Sequence, residues 1–250
     1  GLFGQPANYA AIGAFAESEG LWVVDDAAQS FGASLNNTPV GQLADITCTS
    51  FFPAKPLGCY GDGGAVFVDD DAKAELMRSC RVHGMGKNKY ENIRIGMTAR
   101  LDTLQAAVLD AKLDIFEDEL DRRQTVADHY EALLDGIAVP PRLAAGATSS
   151  WAQYTVKLPA GTDRDAVMAA LKERGVPSAI YYPVPMHRQP PYRSYPVSGC
   201  GMEVTADLCS RVLALPMHPY LDYAQQQQVA AALAAALGNS GASGGMQEIA

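Results

Sequence analysis

Cysteine is scarce in this sequence, and the cysteines that it has follow no recognisable pattern. They are odd in number and none forms a CxxC pair, so the sequence indicates neither a disulfide framework nor a zinc site. None of the four histidines has a metal-binding spacing such as HExxH. We therefore expect reduced thiols and no metal. The five cysteines are Cys48, Cys59, Cys80, Cys200 and Cys209.

Basic residues are fewer than acidic ones, and long apolar runs are lacking. Lys and Arg number 19 against 28 Asp and Glu, for a net charge of -9. General nucleic-acid binding needs a basic face that neutralises phosphates. The Ala-rich run over residues 229–237 is too short to cross a membrane, and the start at Gly1 shows no charged-then-apolar signal. We therefore expect no nucleic-acid partner and no membrane, and the reduced thiols expected above favour a cytoplasmic protein.

Apolar residues, in contrast, are plentiful at 48% of 250 residues, and their spacing alternates between helical and strand periods. This alternation predicts an α/β fold with a mostly parallel sheet covered by helices. In the first half the pattern predicts helices over residues 8–19, 72–83 and 101–134, strands over 21–25, 46–52 and 65–68, and a turn over 35–41.

The second half predicts a smaller α/β domain, entered through a linker rich in proline and glycine at residues 136–149. The proline-rich YYPVPMHRQPPY is predicted to be a loop able to reach the site of the first domain. We thus divide the chain into residues 1–135, 136–238 and a disordered tail, 239–250. Strands are predicted over residues 151–158 and 178–182, and helices over 164–174, 205–213 and 222–237.

One lysine, Lys55, lies within SFFPAKPLGCYGDGG between two prolines and before a cluster of glycines. Pro53 and Pro56 keep it off any regular helix, on a rigid loop after a strand. Phe51, Phe52, Leu57 and Tyr60 are predicted to surround the amine with apolar walls. Desolvation of that kind favours the neutral, Schiff-base-forming amine of lysine, although a solvated surface cation is the ordinary state of lysine.

A second constellation lies in LWVVDDAAQ, where an apolar strand ends in two aspartates. Because side chains alternate along a strand, only one of Asp25 and Asp26 can face a ligand. A carboxylate there can hold a buried cation, while an N-cap of the next turn is the alternative. A lysine for a Schiff base and an acid for a pyridinium nitrogen are what a protein contributes to pyridoxal phosphate chemistry.

These segments together resemble the DegT/DnrJ/EryC1/StrS sugar aminotransferases. The resemblance is carried, in family order, by DDAAQSFGA, TSFFPAKPLGCYGDGGA, RIGMTARLDTLQAAVL, YYPVPMHRQP and LALPMHPYL. It implies the pyridoxal-phosphate-dependent aspartate-aminotransferase fold type I, with part of the large domain and a small carboxyl-terminal α/β domain. It also implies that the amino-terminal part of the family fold is absent from this chain.

The resemblance further implies roles for four residues of the first segments. Lys55 matches the cofactor-binding lysine, and its presence favours aminotransfer because dehydratase relatives have histidine there. Asp26 matches the acid that keeps the pyridine nitrogen protonated. Gln29 matches the residue set against the phenolic oxygen of the cofactor. Ser50 matches a phosphate-binding hydroxyl, with a turn-forming serine as the alternative.

Four further residues are substrate or phosphate candidates by the same resemblance. Thr98 stands where relatives usually have an asparagine that reaches the cofactor phosphate of the neighbouring subunit. Arg100 is a candidate for a substrate carboxylate, with pairing to Asp102 or to a helix carboxyl terminus as the alternative. Tyr182 and His187 are candidates for sugar or nucleotide contacts, with a structural role as the alternative.

The implied activity is transfer of an amino group from glutamate to a nucleotide-linked keto-sugar, as in bacterial surface polysaccharide synthesis, including lipopolysaccharide O-antigen. The resemblance is strongest to enzymes that aminate UDP-linked 3-keto-glucuronic acid sugars. A homodimer with the site at the subunit interface is expected. A 4-keto-sugar substrate and a catalytically silent, pyridoxal-phosphate-binding regulatory protein remain open as alternatives.

Overall fold

The computed structural model describes residues 1–199 and 201–238. Cys200 and the predicted tail over 239–250 lie outside these residues. The chain alternates helices and strands as the sequence predicts. In chain order the elements are α1 Tyr9–Glu19, β1 Val24–Asp26, β2 Ser34–Leu35, β3 Thr38–Pro39, β4 Ile46–Ser50, β5 Gly64–Phe67, α2 Asp71–Arg81, α3 Thr103–Leu133, β6 Tyr154–Lys157, α4 Arg164–Glu173, α5 Glu203–Arg211, β7 Val212–Leu215 and α6 Tyr223–Ala236.

Contacts divide the chain into two compact units. Unit 1 comprises Gly1–Asp121 and Leu143–Ala152, and unit 2 comprises Arg122–Arg142 and the described residues from Gln153 onward. This division differs from the predicted one at residues 135 and 136, because α3 is one continuous helix that gives residues to both units. The segment after it also returns to unit 1, where the Ser150 hydroxyl donates to the Gln29 carbonyl at 2.6 Å.

Unit 1 is built on a three-stranded sheet of order β1-β4-β5. β1 runs parallel to β4, with Asp26 opposite Cys48, and β4 runs antiparallel to β5, with Ser50 opposite Gly64. The described strands of this sheet thus form a mixed sheet, with one parallel and one antiparallel pair, where the sequence predicts a mostly parallel one. The reason is the short return from β4 to β5, since a parallel neighbour would need a longer crossover connection.

The two faces of this sheet differ in exposure. Asp25 and its partner Thr47 are buried on one face, whereas Val24 and Val66 are exposed on the other. Asp26, Cys48 and Ser50 lie on this exposed face, because side chains alternate along a strand and register partners share a face.

The helices of unit 1 begin where the sequence predicts. The Asn8 side chain caps α1 by accepting from the Ala11 N–H, and Gly20 ends that helix in a left-handed conformation with φ 63°. The Asp70 side chain caps α2 in the same way, accepting from the Lys73 N–H. The predicted turn over residues 35–41 is a hairpin between β2 and β3, whose two central residues, Asn36 and Asn37, both have positive φ.

Unit 2 pairs β6 with β7 in an antiparallel ribbon, with Tyr154 opposite Leu215. Here two predictions are wrong. The helix predicted to end at Leu213 stops at Arg211, because the chain turns there into the fully buried strand β7. The strand predicted over 178–182 is reduced, among the described residues, to a single bridge between Ala179 and Ala214.

No helix among the described residues is long and apolar enough to cross a membrane. Within the same residues, no group of three or more His, Cys, Asp or Glu side chains is arranged to hold a metal ion.

Candidate active site

The candidate site of unit 1 lies where β1 and β4 end. Asp26 is the last residue of β1 and is in register with Cys48, and Ser50 closes β4 two residues later. Adjacent strands are about 4.8 Å apart. The chain then leaves β4 for the loop that carries Lys55, so the parallel pair delivers the acid and the lysine loop to one edge of the sheet.

The lysine loop, residues 51–63, is closed on itself by backbone hydrogen bonds. The Phe51 N–H donates to the Gly63 carbonyl at 2.7 Å, and the Cys59 N–H donates to the Phe51 carbonyl at 2.8 Å. Within the loop the Lys55 N–H donates to the Phe52 carbonyl at 2.8 Å. The two ends of the loop are therefore joined, and Lys55 stands on a folded turn rather than on a free strand of chain.

A buried thiol, Cys59, lies at the centre of the lysine loop. Its side chain is 0% exposed, and its Sγ lies 3.0 Å from the Phe51 carbonyl oxygen and 3.1 Å from that of Gly61. The sequence gives no signal for this role beyond the apolar residues around it, because a lone cysteine has no diagnostic spacing. Cys59 packs in a core cluster with Phe51, Leu57 and two residues of α3, Leu109 and Phe116.

Lys55 is half-buried, and its amine has no hydrogen-bond or ion-pair partner among the described residues. Its apolar surroundings are only partly those predicted. Phe51 and Leu57 belong to the core, but Phe52 and Tyr60 are largely exposed. A lysine whose amine is engaged by no neighbouring side chain leaves that amine sterically open to a carbonyl compound.

The two aspartates of β1 face opposite sides, as alternation predicts. Asp25 is 2% exposed, and burial, followed by its carboxylate, raises the pKa of the neighbouring Tyr9 hydroxyl. Asp26 is exposed, and its Oδ1 accepts from the Ala28 N–H at 3.0 Å. This is the capping contact that the sequence offered as the alternative for Asp26. It occupies one carboxylate oxygen only.

Gln29 and Ser50 are both engaged in local hydrogen bonds. Gln29 is buried, and its Oε1 accepts from the Phe3 N–H at 2.7 Å. The Ser50 Oγ accepts from the Phe52 N–H at 3.2 Å, which is a serine turn at the start of the lysine loop. The Ser50 hydroxyl hydrogen is still available to a ligand, because the turn uses only the oxygen.

Thr98 and Arg100 lie on an extended segment beside the end of α2. The Thr98 Oγ1 lies 3.4 Å from the His83 ring nitrogens. Arg100 is exposed and lines a cleft of about 1270 Å³ together with Val24, Cys48 and Val66, which belong to the exposed sheet face. Within the described chain Arg100 forms no ion pair, either with Asp102 or with another carboxylate. The guanidinium is therefore open to an anionic ligand.

Tyr182 and His187 belong to unit 2. Tyr182 is half-exposed, and its ring packs edge-on against Tyr181 at 5.5 Å between centroids. His187 is half-buried in a short 3-10 helix, Met186–Arg188, which a second one follows at Pro190–Tyr192. The proline-rich segment is thus partly regular, whereas the sequence predicted a loop throughout.

Two residues of α3 that sequence reasoning missed contact the lysine loop. The Gln105 Oε1 accepts from the Tyr60 N–H at 2.8 Å, and the Lys112 Nζ donates to the Gly58 carbonyl at 2.6 Å. Their spacing of seven residues, which places both on one helix face, is the only signal that the sequence holds for them.

Comparison with known proteins gives matches over most of the chain. The model of the DegT/DnrJ/EryC1/StrS aminotransferase family matches residues 1–234. The UDP-2-acetamido-2-deoxy-3-oxo-D-glucuronate aminotransferase of Pseudomonas aeruginosa is 45% identical over 233 residues, which are 93% of this chain and 63% of that protein. The chain therefore spans less than two thirds of this relative.

Solved structures share the fold. A DegT DnrJ EryC1 StrS aminotransferase from Brucella abortus superposes with a TM-score of 0.89 at 46% identity, over 94% of this chain and 62% of that one. The ntda protein of Bacillus subtilis, with bound cofactor PMP, superposes with a TM-score of 0.82 at 28% identity, over 95% of this chain and 55% of that one. The fold is thus a partial aminotransferase fold of type I, as the sequence predicts.

Proposed function

Because this chain belongs to the DegT/DnrJ/EryC1/StrS aminotransferase family, we propose that the complete protein is a pyridoxal-phosphate-dependent aminotransferase acting on a nucleotide-linked keto-sugar. The observation that carries the proposal is the half-buried Lys55, whose amine has no partner among the described residues, on a closed loop at the sheet edge where Asp26 ends β1. A lysine in an ordinary surface position would be solvated or paired.

The residues present fit pyridoxal phosphate. Lys55 offers a free amine for the aldehyde, and Asp26 offers one uncommitted carboxylate oxygen for a protonated ring nitrogen. Ser50 offers a hydroxyl hydrogen for the phosphate, and Gln29 lies three residues after the acid for the phenolic oxygen. When bound, the cofactor supplies a carbonyl carbon that carries the amino group and a ring that spreads negative charge.

The chain's own residues then move protons and fix charge. With the cofactor bound, the Lys55 Nζ would remove the α-proton of glutamate and return it to the carbonyl carbon of the cofactor, acting first as a base and then as an acid. The Asp26 carboxylate would keep the ring nitrogen protonated and so stabilise the negative charge that develops at the α-carbon. On the keto-sugar, Lys55 would again act as a base and then as an acid, and the proton would go to the sugar carbon that receives the amino group.

The substrate class follows from Arg100 and from the relatives. We assign Arg100 to a carboxylate, either that of glutamate or that of a uronate, because its guanidinium is unpaired within the described residues and lines the cleft on the exposed sheet face. The relative from Pseudomonas aeruginosa acts, by its name, on a UDP-linked 3-oxo-glucuronate. We therefore propose a UDP-3-keto-uronate as acceptor, for surface polysaccharide synthesis, with Tyr182 and His187 contacting the sugar or the nucleotide.

An assay of the complete gene product tests this function. Glutamate is supplied with a panel of UDP- and dTDP-linked keto-sugars that differ in keto position and in the presence of the uronate carboxylate, and 2-oxoglutarate formation is followed. We expect the highest kcat/KM with the UDP-linked 3-keto-uronate, by about 100-fold over the analogue without the carboxylate, because that analogue leaves the Arg100 guanidinium without its ion-pair partner. A preference for a 4-keto-sugar would identify that sugar, instead of the 3-keto-uronate, as the substrate. The absence of a spectral change with glutamate would favour the silent regulatory protein.

The segment around Thr98 supports a second copy of this chain as partner. Residues 91–100 are exposed without exception, and Ile95 is 97% exposed. Met97 and Ile93 are exposed beside it, so the segment presents an apolar surface of the kind that marks an interface. We propose a homodimer in which this segment packs against the partner, where Thr98 can bind the cofactor phosphate of the other subunit.

Ile95→Glu is expected to weaken this dimer about 100-fold, because it removes one buried apolar side chain and places a charge in the interface. Sedimentation equilibrium of the complete protein measures the dissociation constant. Val204→Glu, a change of another exposed apolar side chain on α5, is the control and should leave the dissociation constant unchanged. An unaltered dimer in Ile95→Glu would place the interface elsewhere.

A further inference from the structure

The lysine loop contacts one face of α3 through both apolar and polar side chains. Leu109 and Phe116 of that face pack against Phe51, Leu57 and Cys59 in the core. Two polar contacts accompany this apolar patch along the helix, from Gln105 before Leu109 and from Lys112 between Leu109 and Phe116. The polar contacts thus fix the position of the loop backbone on the helix, which apolar packing alone would not do.

Lys112 makes the stronger of the two polar contacts. Its ammonium donates to the Gly58 carbonyl at 2.6 Å in a partly buried place, and it lies 5.4 Å from the centre of the Tyr60 ring. A charged donor on a carbonyl is worth about twice a neutral one. The same nitrogen therefore also holds Tyr60, two residues after Gly58, through a cation–π contact.

The backbone of Gly58 packs closely against the segment that precedes Lys55. A Cβ added at Gly58 would lie 2.7 Å from the Pro53 carbonyl oxygen and 2.8 Å from that of Phe52. The backbone after Lys55 therefore touches the backbone before it, and this close approach requires glycine. A helix side chain that fixes the Gly58 carbonyl fixes the base of the turn on which Lys55 stands.

Gln105 fixes the adjacent part of the loop. Its Oε1 accepts from the Tyr60 N–H, and its amide lies against Gly61, where a Cβ would come within 3.3 Å of Nε2. The peptide groups of Gly58 and Tyr60 are therefore held by two side chains from the same helix face. The loop cannot shift along α3 without breaking both bonds.

We propose that Gln105 and Lys112 are positioning residues that hold the lysine loop on α3 in the shape that Lys55 needs to bond the cofactor. The proposal rests on the proposed function, since it assigns a task to Lys55. Neither side chain touches the cofactor in this proposal; both act through the loop. Removing either side chain leaves the Lys55 amine present but poorly placed. A smaller fraction of the protein then binds cofactor at a given cofactor concentration.

The test uses the complete holoenzyme and reads cofactor attachment, not activity. Pyridoxal phosphate is titrated into apoprotein, borohydride fixes it covalently, and peptide mass spectrometry gives the fraction labelled at Lys55. We expect Lys112→Met and Gln105→Met each to raise the half-saturating concentration about tenfold, since each loses one polar contact with the backbone of the loop. Lys112→Arg, which keeps a cationic donor, and Gln105→Glu, which keeps the acceptor for the Tyr60 N–H, are expected to restore it.

The control is Lys172→Met, which removes an exposed lysine of α4 and the same charge. All titrations are made well below the unfolding temperature of each variant, so that unfolded protein does not contribute. Wild-type half-saturation in Lys112→Met and in Gln105→Met would overturn the inference while leaving the proposed function intact. Failure of the wild-type protein to carry label at Lys55 would instead remove the proposed function.

Discussion

Lys55→Ala in the complete protein is expected to abolish covalent attachment of pyridoxal phosphate and to lower amino transfer about 10⁴-fold. The substitution removes the only group in the lysine loop that can bond the cofactor and carry the α-proton, and proton transfer by a positioned side chain is worth up to about 10⁴-fold. Borohydride reduction followed by peptide mass spectrometry measures the attachment. Release of 2-oxoglutarate from glutamate measures the transfer.

The fold should survive Lys55→Ala, which makes the result specific. In the structure only the backbone of Lys55 bonds to the loop, through its N–H to the Phe52 carbonyl, and alanine keeps that bond. Lys172→Ala on the exposed side of α4 is the matched control and should label and react like wild type. Cofactor attached to another lysine in the wild-type protein would contradict the assignment of Lys55.

Helices of this fold were accessible to sequence reasoning because their signals are local. α1 and α2 begin after Asn8 and Asp70, whose side chains cap them, and Gly20 ends α1. The lysine loop was predictable for the same reason, since its prolines and glycines exclude regular structure wherever the rest of the chain lies.

Elements that depend on distant partners could not be predicted in the same way. The run VLAL is compatible with a buried helix and with a buried strand, and only pairing with β6 makes Val212–Leu215 a strand. The antiparallel direction of β5 likewise depends on how the lysine loop folds back through Cys59. Contacts of Gln105 and Lys112 with the loop join residues 45 and 54 positions apart in the chain, and a single sequence holds no signal for such pairs.

The sequence narrowed the acid that could face a ligand at the end of β1 to two residues, Asp25 and Asp26. Alternation along β1 requires that Asp25 and Asp26 face opposite sides, but it cannot say which side is covered. The structure buries Asp25 against Tyr9 and leaves Asp26 on the exposed face with Cys48 and Ser50. Asp26 is also the residue that the family resemblance assigns to the cofactor, and our proposal keeps that assignment.

Asp26→Asn is expected to lower both half-reactions about 10²–10³-fold while leaving the fold stable, because it removes a charge that stabilises the reacting centre. Asparagine is nearly the same size, and its side-chain oxygen can still accept from the Ala28 N–H that Asp26 now binds. What it lacks is the negative charge that would keep a ring nitrogen protonated. The measurements are the rate of the absorbance change with glutamate, the rate with the keto-sugar, and the thermal midpoint.

Asp25→Asn is the comparison that separates the two aspartates. Asp25 is buried next to the Tyr9 hydroxyl, so its change should appear in the thermal midpoint rather than in the rates of the two half-reactions. Should Asp25→Asn lose both half-reactions at an unchanged midpoint while Asp26→Asn retains them, the ring acid would be Asp25. The exposed face of the sheet would then not be the face that binds the cofactor, because Asp25 and Asp26 project to opposite sides of β1.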